Sequence, residues 1–134
     1  MKKHVLLVDD DKDELFLFNE ALKEVPGSFK CTYASSGAQA LEMLNYIQPD
    51  FIFVDYNLPV LDGVEVLNGI KKDKKISDIP VFLYSSSLTK DVNSTAMYLG
   101  AAGCIRKPNS IGMMTMVLKS IFTGFGNDFR FLLQ

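Results

Sequence analysis

The sequence predicts one α/β domain over residues 1–123, a doubly wound, five-stranded parallel sheet with helices on both faces, followed by a short C-terminal extension over 124–134. Short apolar runs alternate with amphipathic helical patterns along most of the chain, which is the signature of strand–helix units. The first, third and fourth runs are apolar throughout rather than at every second residue, as strands buried on both faces require. Acidic, hydroxyl and lysine residues follow four of the five runs, at the strand ends where sheets of this kind form their sites.

Val5 to Val8 reads as the first strand. Leu15, Phe18, Leu22 and Val25 then recur at spacings of three and four, the stripe of an amphipathic helix, and Pro26-Gly27 stops it. Phe29 to Ala34 is the second strand. Ser36 to Gln39 has capping-box spacing and opens a helix carrying Leu41, Leu44 and Ile47, which Pro49 ends. Phe51 to Val54 forms the third strand, with Asp55 at its carboxyl end. A helix follows near Val64, Leu67 and Ile70 and dissolves among Lys71, Lys72, Lys74 and Lys75, a cluster read as a solvated face. Pro80 leads into the fourth strand, Val81 to Tyr84, which closes on Ser85-Ser86-Ser87. Thr89 caps a helix bearing Val92, Ala96 and Leu99, and Gly100 ends it. Gly103 to Arg106 is a short fifth strand. Ser110 starts the last helix, with Met114, Val117, Leu118 and Ile121.

Composition removes several classes of function. A chain of 134 residues, 48% hydrophobic, buries a core without disulfides or a structural metal. No apolar run approaches the roughly 18–20 residues that span a bilayer, and the N-terminus lacks the apolar stretch of a secretory signal; the expectation is a cytoplasmic protein with no membrane partner. Cys31 and Cys104 have no metal-ligand spacing, and the chain has one histidine, so a zinc site is not expected and both thiols read as reduced core or near-core residues. A formal net charge of −2 gives no electrostatic basis for a nucleic-acid partner.

The chemistry lies in what the sheet gathers. Asp9-Asp10-Asp11 follow the first strand, Asp55 the third, Ser85 the fourth and Lys107 the fifth. Taken singly, an Asp there is a helix cap, a Ser a turn residue and a Lys a solvated charge. Brought together, the carboxylates would repel one another, and a hard divalent cation relieves that repulsion. Mg²⁺ takes oxygen ligands, typically one or two carboxylates with waters and a phosphate oxygen. Asp9 and Asp10 supply the anionic shell, and Asp55 ligates while remaining available as a nucleophile toward a phosphoryl group. The equatorial oxygens of that group need positive charge and donors: the metal meets one, the Lys107 ammonium another and the Ser85 hydroxyl a third. Asp11 falls outside this shell and reads as the cap of the first helix.

At these residues the chain closely resembles the receiver domains of two-component response regulators. The motifs are Val8-Asp9-Asp10, the stretch from Asp55 through Asn57, Pro59 and Asp62 to Gly63, the run Pro80 to Ser85, and Arg106-Lys107-Pro108; the resemblance covers about residues 4–122. It implies a flavodoxin-like strand order, 2-1-3-4-5, with Asp55 as phosphoacceptor. Asp9, Asp10, Asp55 and the backbone carbonyl of Asn57 would hold Mg²⁺. Ser85 would be the switch hydroxyl, Lys107 the phosphoryl-binding lysine, and Lys107-Pro108 a cis peptide. Asn57 and Ser87 would border the path of the water that hydrolyses the phosphoryl group. The implied partners are a sensor histidine kinase or phosphotransfer protein, which supplies the phosphoryl group, and a downstream protein target. No enzymatic turnover is implied beyond self-phosphorylation from phosphodonors and self-dephosphorylation.

Two features depart from that pattern. Many receivers carry Tyr or Phe three residues before the lysine; Cys104 stands there, and a small thiol does not gate the surface of the fourth helix, fifth strand and fifth helix as a ring does. Readout is therefore expected through the loop after the fourth strand or through a homodimer. The chain also ends soon after the fifth helix, as in single-domain response regulators, and its tail carries Phe125, Phe129, Phe131, Leu132 and Leu133, read either as a packed extension or as an interaction segment. Two other readings stand beside the switch. A phosphorylation-independent interaction module would have no use for so many converging charges. A Mg²⁺-dependent phosphohydrolase would carry an acid two residues after its nucleophile, where this chain has Asn57.

Overall fold

The computed structural model describes residues 2–123; the extension expected over 124–134, with its phenylalanines, lies outside the described residues. Five strands, β1 (Lys3–Val8), β2 (Phe29–Ala34), β3 (Phe51–Asp55), β4 (Val81–Ser85) and β5 (Gly103–Arg106), alternate with five helices, α1 (Lys12–Glu24), α2 (Gly37–Met43), α3 (Gly63–Lys72), α4 (Lys90–Tyr98) and α5 (Ile111–Thr123). The strands form one parallel sheet in the order β2-β1-β3-β4-β5. This is the doubly wound, flavodoxin-like arrangement the sequence predicts.

The sheet divides the core into two layers. On one face Leu6, Val8, Ile52, Val54 and Leu83 pack with Ala40, Val66, Leu67, Ile70 and Ala96. On the other, Val5, Leu7, Phe53, Phe82, Tyr84 and Ile105 pack with Phe18, Ala21, Met114, Leu118 and Ile121. Side chains alternate across each strand, so fully apolar strands feed both layers, which is why they read as unbroken apolar runs. The second layer is aromatic at its centre, with Phe53 between Phe18 and Phe82, each ring centroid 5.2 Å away.

Local signals act as expected at most boundaries. Asp11 caps α1, accepting from the Asp13 N–H, and Thr89 caps α4 through the Val92 N–H. Gly27 and Gly100 adopt φ of +117° and +104° where α1 and α4 have ended, a backbone that glycine reaches without steric cost. Three boundary details differ. The helix expected to run to Ile47 stops at Met43; Leu44 and Ile47 still pack on the core, but from the turn that follows. Spacing by threes suits one more helical turn and a tight turn equally. The Ser36 hydroxyl accepts from the Gln39 N–H as a cap should, yet the Gln39 carboxamide oxygen returns to the N–H and hydroxyl of Ser35, so the reciprocal half of the box is displaced by one residue. A full capping box instead opens α3, where Asp62 and Glu65 bond each other's backbone N–H groups.

Lys71 also corrects the solvated-face reading of the lysine cluster. Its ammonium donates to the carbonyls of Ser77 and Ile79, at 2.8 and 3.1 Å, tying α3 to the turn before β4, while Lys72, Lys74 and Lys75 are exposed. Burial lowers the Lys71 pKa, with Asp78 acting against that fall.

Candidate functional site

Strand order decides where the polar residues meet. β3 lies at the centre with β1 and β4 as neighbours, so the segments after β1, β3, β4 and β5 open side by side at one sheet edge. Asp55 is the last residue of β3 and pairs in register with Tyr84 of β4. Asp9 directly follows β1, where its N–H donates to the Ala34 carbonyl. Lys107 directly follows β5, its N–H donating to the Ser85 carbonyl at 3.0 Å.

The side chains converge as the sequence predicts. The Lys107 ammonium bridges two buried carboxylates, 2.9 Å from Asp55 Oδ2 and 3.0 Å from Asp9 Oδ2. Asp9 is 0% and Asp55 5% exposed. Charges so far from water persist only when paired. Burial alone would lower the Lys107 pKa, but its hydrogen bond to Asp55 and the charges of Asp9 and Asp55 outweigh it and the net displacement is upward. The ammonium is therefore a fixed positive charge.

Asp10 is exposed at the mouth of the same pocket. Asp9, Asp10 and Asp55 each bring one carboxylate oxygen to within 4.8 Å of the others, an anionic, all-oxygen set that fits a hard divalent cation and offers nothing to a thiophilic one. Asp9 Oδ1 accepts the Asp11 N–H, and Asp55 Oδ1 accepts the Asn57 N–H at 3.0 Å. Each buried carboxylate is thus held by a backbone amide two residues on and by Lys107.

Ser85 is fully buried, and its oxygen accepts from the Asn57 side-chain amide at 2.8 Å and from the Ser87 N–H at 3.3 Å. The same amide group reaches the Ser87 hydroxyl at 2.8 Å. Asn57 therefore links the loop after β3 to the loop after β4. Gly63 closes the first of these loops. A Cβ there would lie 2.6 Å from the Asp55 carbonyl oxygen and 2.7 Å from Tyr56 Cα, so only glycine lets α3 begin this close to the end of β3. Val60, in the same loop, has φ +69° and is 97% exposed, a strained backbone for a β-branched residue.

One expectation is corrected, and the reading of both cysteines as core or near-core thiols holds. Among the described residues no peptide bond is cis, so Lys107-Pro108 is trans, the isomer an X–Pro bond favours by about 0.5–1 kcal/mol. Cys104 is buried in β5 against the first core layer, and burial lifts its thiol to about 11; Cys31 is lifted equally, to about 11. Both remain neutral, unreactive thiols.

Two residues of the site escape the sequence reading. Glu14 of α1 lies close enough for its pKa to be raised, by burial first and then by the charges of Asp9, Asp11 and Asp55 against the pull of Lys107. Tyr84 reads only as a strand residue, yet its hydroxyl donates to Asp9 Oδ2 at 2.6 Å, and the Lys107 ammonium stands 4.8 Å from its ring centroid. Burial, and after it the Asp9 charge, pushes the phenol far above its ordinary value. The available signal was a tyrosine inside a fully buried strand, since a buried phenol must find an acceptor.

The sheet order and this lysine-closed acidic pocket together define an α/β signalling domain. The family model for the response regulator receiver domain matches residues 5–119, and the chain belongs to that family. Its members are signalling proteins of two-component systems. The chain is 32% identical over 117 residues to the transcriptional regulatory protein PrrA of Mycobacterium leprae, a match covering 87% of this chain and 48% of PrrA; it spans about half the length of the mycobacterial relatives it matches. Among solved structures, the phosphorylated cyanobacterial phytochrome response regulator RcpA superposes with a TM-score of 0.81 at 30% identity, covering 90% of this chain and 91% of RcpA. The Mn²⁺-bound response regulator Rcp1 does so with a TM-score of 0.79 at 27% identity, covering 98% of this chain and 99% of Rcp1. Among the described residues no helix is long and apolar enough to cross a membrane.

Proposed function

We propose that the chain is a phosphoryl-accepting switch, and that Asp55 is its acceptor. The reading rests on one observation above all: a single ammonium held between two buried carboxylates beside a third, exposed one. A fold that needed only stability would gain little from burying this set, because the desolvation of such charges costs as much as their attraction returns. The phosphorylated state of RcpA and the Mn²⁺ in Rcp1, both similar to this chain, support the same reading.

In this reading the donor is a phosphohistidine on a sensor kinase or phosphotransfer protein. A carboxylate oxygen of Asp55 attacks phosphorus, the P–N bond to the imidazole breaks, and a P–O bond forms to give an acyl phosphate; the departing imidazole takes a proton from solvent. Asp9, Asp10, Asp55 and the Asn57 backbone carbonyl would hold Mg²⁺, which supplies positive charge against the phosphoryl oxygens. Lys107, already 2.9 Å from Asp55, follows the negative charge from the carboxylate to the new phosphoryl group. Among the described residues the Ser85 hydroxyl accepts hydrogen bonds and donates none, so its proton is free to be donated to a phosphoryl oxygen. Turning it toward Asp55 draws on the Asn57 and Ser87 contacts and so shifts the loop after β4. That shift changes which downstream protein, or second copy of the chain, the surface binds.

The test is to incubate the protein with Mg²⁺ and acetyl phosphate and record intact mass, with beryllofluoride as a spectroscopic mimic. The wild type is expected to gain one phosphoryl group and Asp55→Asn none. Equal gain in both, or none in either, would overturn the assignment.

A further inference from the structure

Tyr84 stands where three of the site's supports cross. It precedes Ser85, pairs in register with Asp55, and its carbonyl accepts the Tyr56 N–H at 3.3 Å. Its ring is 1% exposed and packs against Phe18 with centroids 6.5 Å apart, so the side chain has no freedom to swing. The hydroxyl crosses the end of β3 to reach Asp9, behind β1. A neutral acceptor would have satisfied a buried phenol; this one donates to the same Oδ2 that accepts Lys107.

That shared oxygen has a consequence. With two donors on Oδ2 and the Asp11 amide on Oδ1, the Asp9 carboxylate is fixed in plane and rotation. The hydroxyl satisfies part of Oδ2's hydrogen-bonding capacity, so Lys107 is not drawn wholly onto Asp9 and keeps its bond to Asp55. The ring beneath the ammonium adds a cation–π contact that favours the same position. We propose that Tyr84 is a positioning residue of the phosphoacceptor site, holding Asp9 and Lys107 in the arrangement that receives the metal ion and the phosphoryl group. The proposal rests on the Mg²⁺ site described above and adds to it a residue that touches neither metal nor phosphate.

Tyr84→Phe keeps the ring and removes the donor. Without the hydroxyl, Asp9 Oδ2 turns onto the ammonium and closes to a cation, so Mg²⁺ affinity measured by calorimetry on the full chain should fall about tenfold, the lower end of what loss of an outer partner does at metal sites. The Lys107 side-chain ammonium signal in nitrogen-edited NMR should shift with it. A merely structural tyrosine would lower the denaturation midpoint and leave both readouts in place. Affinity within twofold of wild type with an unmoved Lys107 signal overturns the proposal while the metal reading stands; absence of Mg²⁺ binding by the wild type itself overturns both. Should the variant not fold, the wild type decides: the Tyr84 hydroxyl proton signal must shift when Mg²⁺ is added, and a signal that stays in place overturns the proposal.

Discussion

Lys107 separates two carboxylates that would otherwise face each other in the protein interior. Lys107→Ala should cost about 3–5 kcal/mol of stability, the usual result of stripping the partner from buried charge, and urea unfolding at neutral pH measures it. A surface lysine such as Lys74 lost in the same way should change almost nothing. His4 offers a smaller, pH-dependent effect. Its ring meets the Thr32 hydroxyl at 2.6 Å, and its pKa lies below the ordinary 6.5, by burial first and then by Lys30, with Asp50 opposing. The folded state therefore binds the proton less well than the unfolded chain. Above 6.5 the ring is neutral in both states and contributes no pH dependence; as pH falls from 6.5 toward the lower folded value, stability is lost. His4→Asn, which cannot charge, should flatten the unfolding profile over that interval. At this scale the sequence was informative where strand ends alone set a residue's place, as for Asp9, Asp55, Ser85 and Lys107. It gave no sign of the Tyr84 contact and took Lys71 for a solvated charge; their long side chains reach partners 75 and 8 residues away in sequence.

Among the elements, α3 has the most to lose at its first turn. Its capping box satisfies two backbone donors, and the helix starts directly behind the loop that carries Asn57. Asp62→Ala should cost about 1 kcal/mol, seen as a lower urea midpoint with an unchanged slope. Element existence was legible throughout, because the change from apolar runs, unbroken in β1 from Val5 and in β3 and β4 up to their last residues, to three-and-four spacing marks most transitions. Boundaries were less so. Asp62 to Glu65 and Ser36 to Gln39 carry the same spacing, yet the Glu65 side chain folds back on its own cap while that of Gln39 bonds Ser35, one residue before it. Nor does spacing distinguish a further helical turn from the tight turn that follows Met43; the polar Asn45 and the exposed Tyr46 show why the helix gains nothing by continuing.

For the whole molecule, the site is a gap in the electrostatic balance of the fold. A ligand that binds only the folded state stabilises it by an amount that grows with the logarithm of its concentration over its dissociation constant, about 2.7 kcal/mol at a hundredfold excess. Mg²⁺ should therefore raise the thermal midpoint of the wild type in a concentration-dependent way, and removing it with a chelator should reverse the gain. Asp10→Asn, which replaces the exposed member of the acidic set, should blunt the response while leaving the metal-free midpoint nearly unchanged. The strand order that assembles this set followed from a resemblance in the motifs, and composition and periodicity alone would have given only a parallel sheet. The reach of Tyr84 from β4 to the residue after β1 depends on that order, and so could be read only once the sheet was seen.

Gly63 carries a last consequence for the molecule in motion. Because the start of α3 rests directly on the Asp55 carbonyl and on Tyr56 Cα, there is no side chain between them to act as a spring. The head of the helix and the end of β3 therefore meet backbone to backbone, and a displacement of one should carry the other with it.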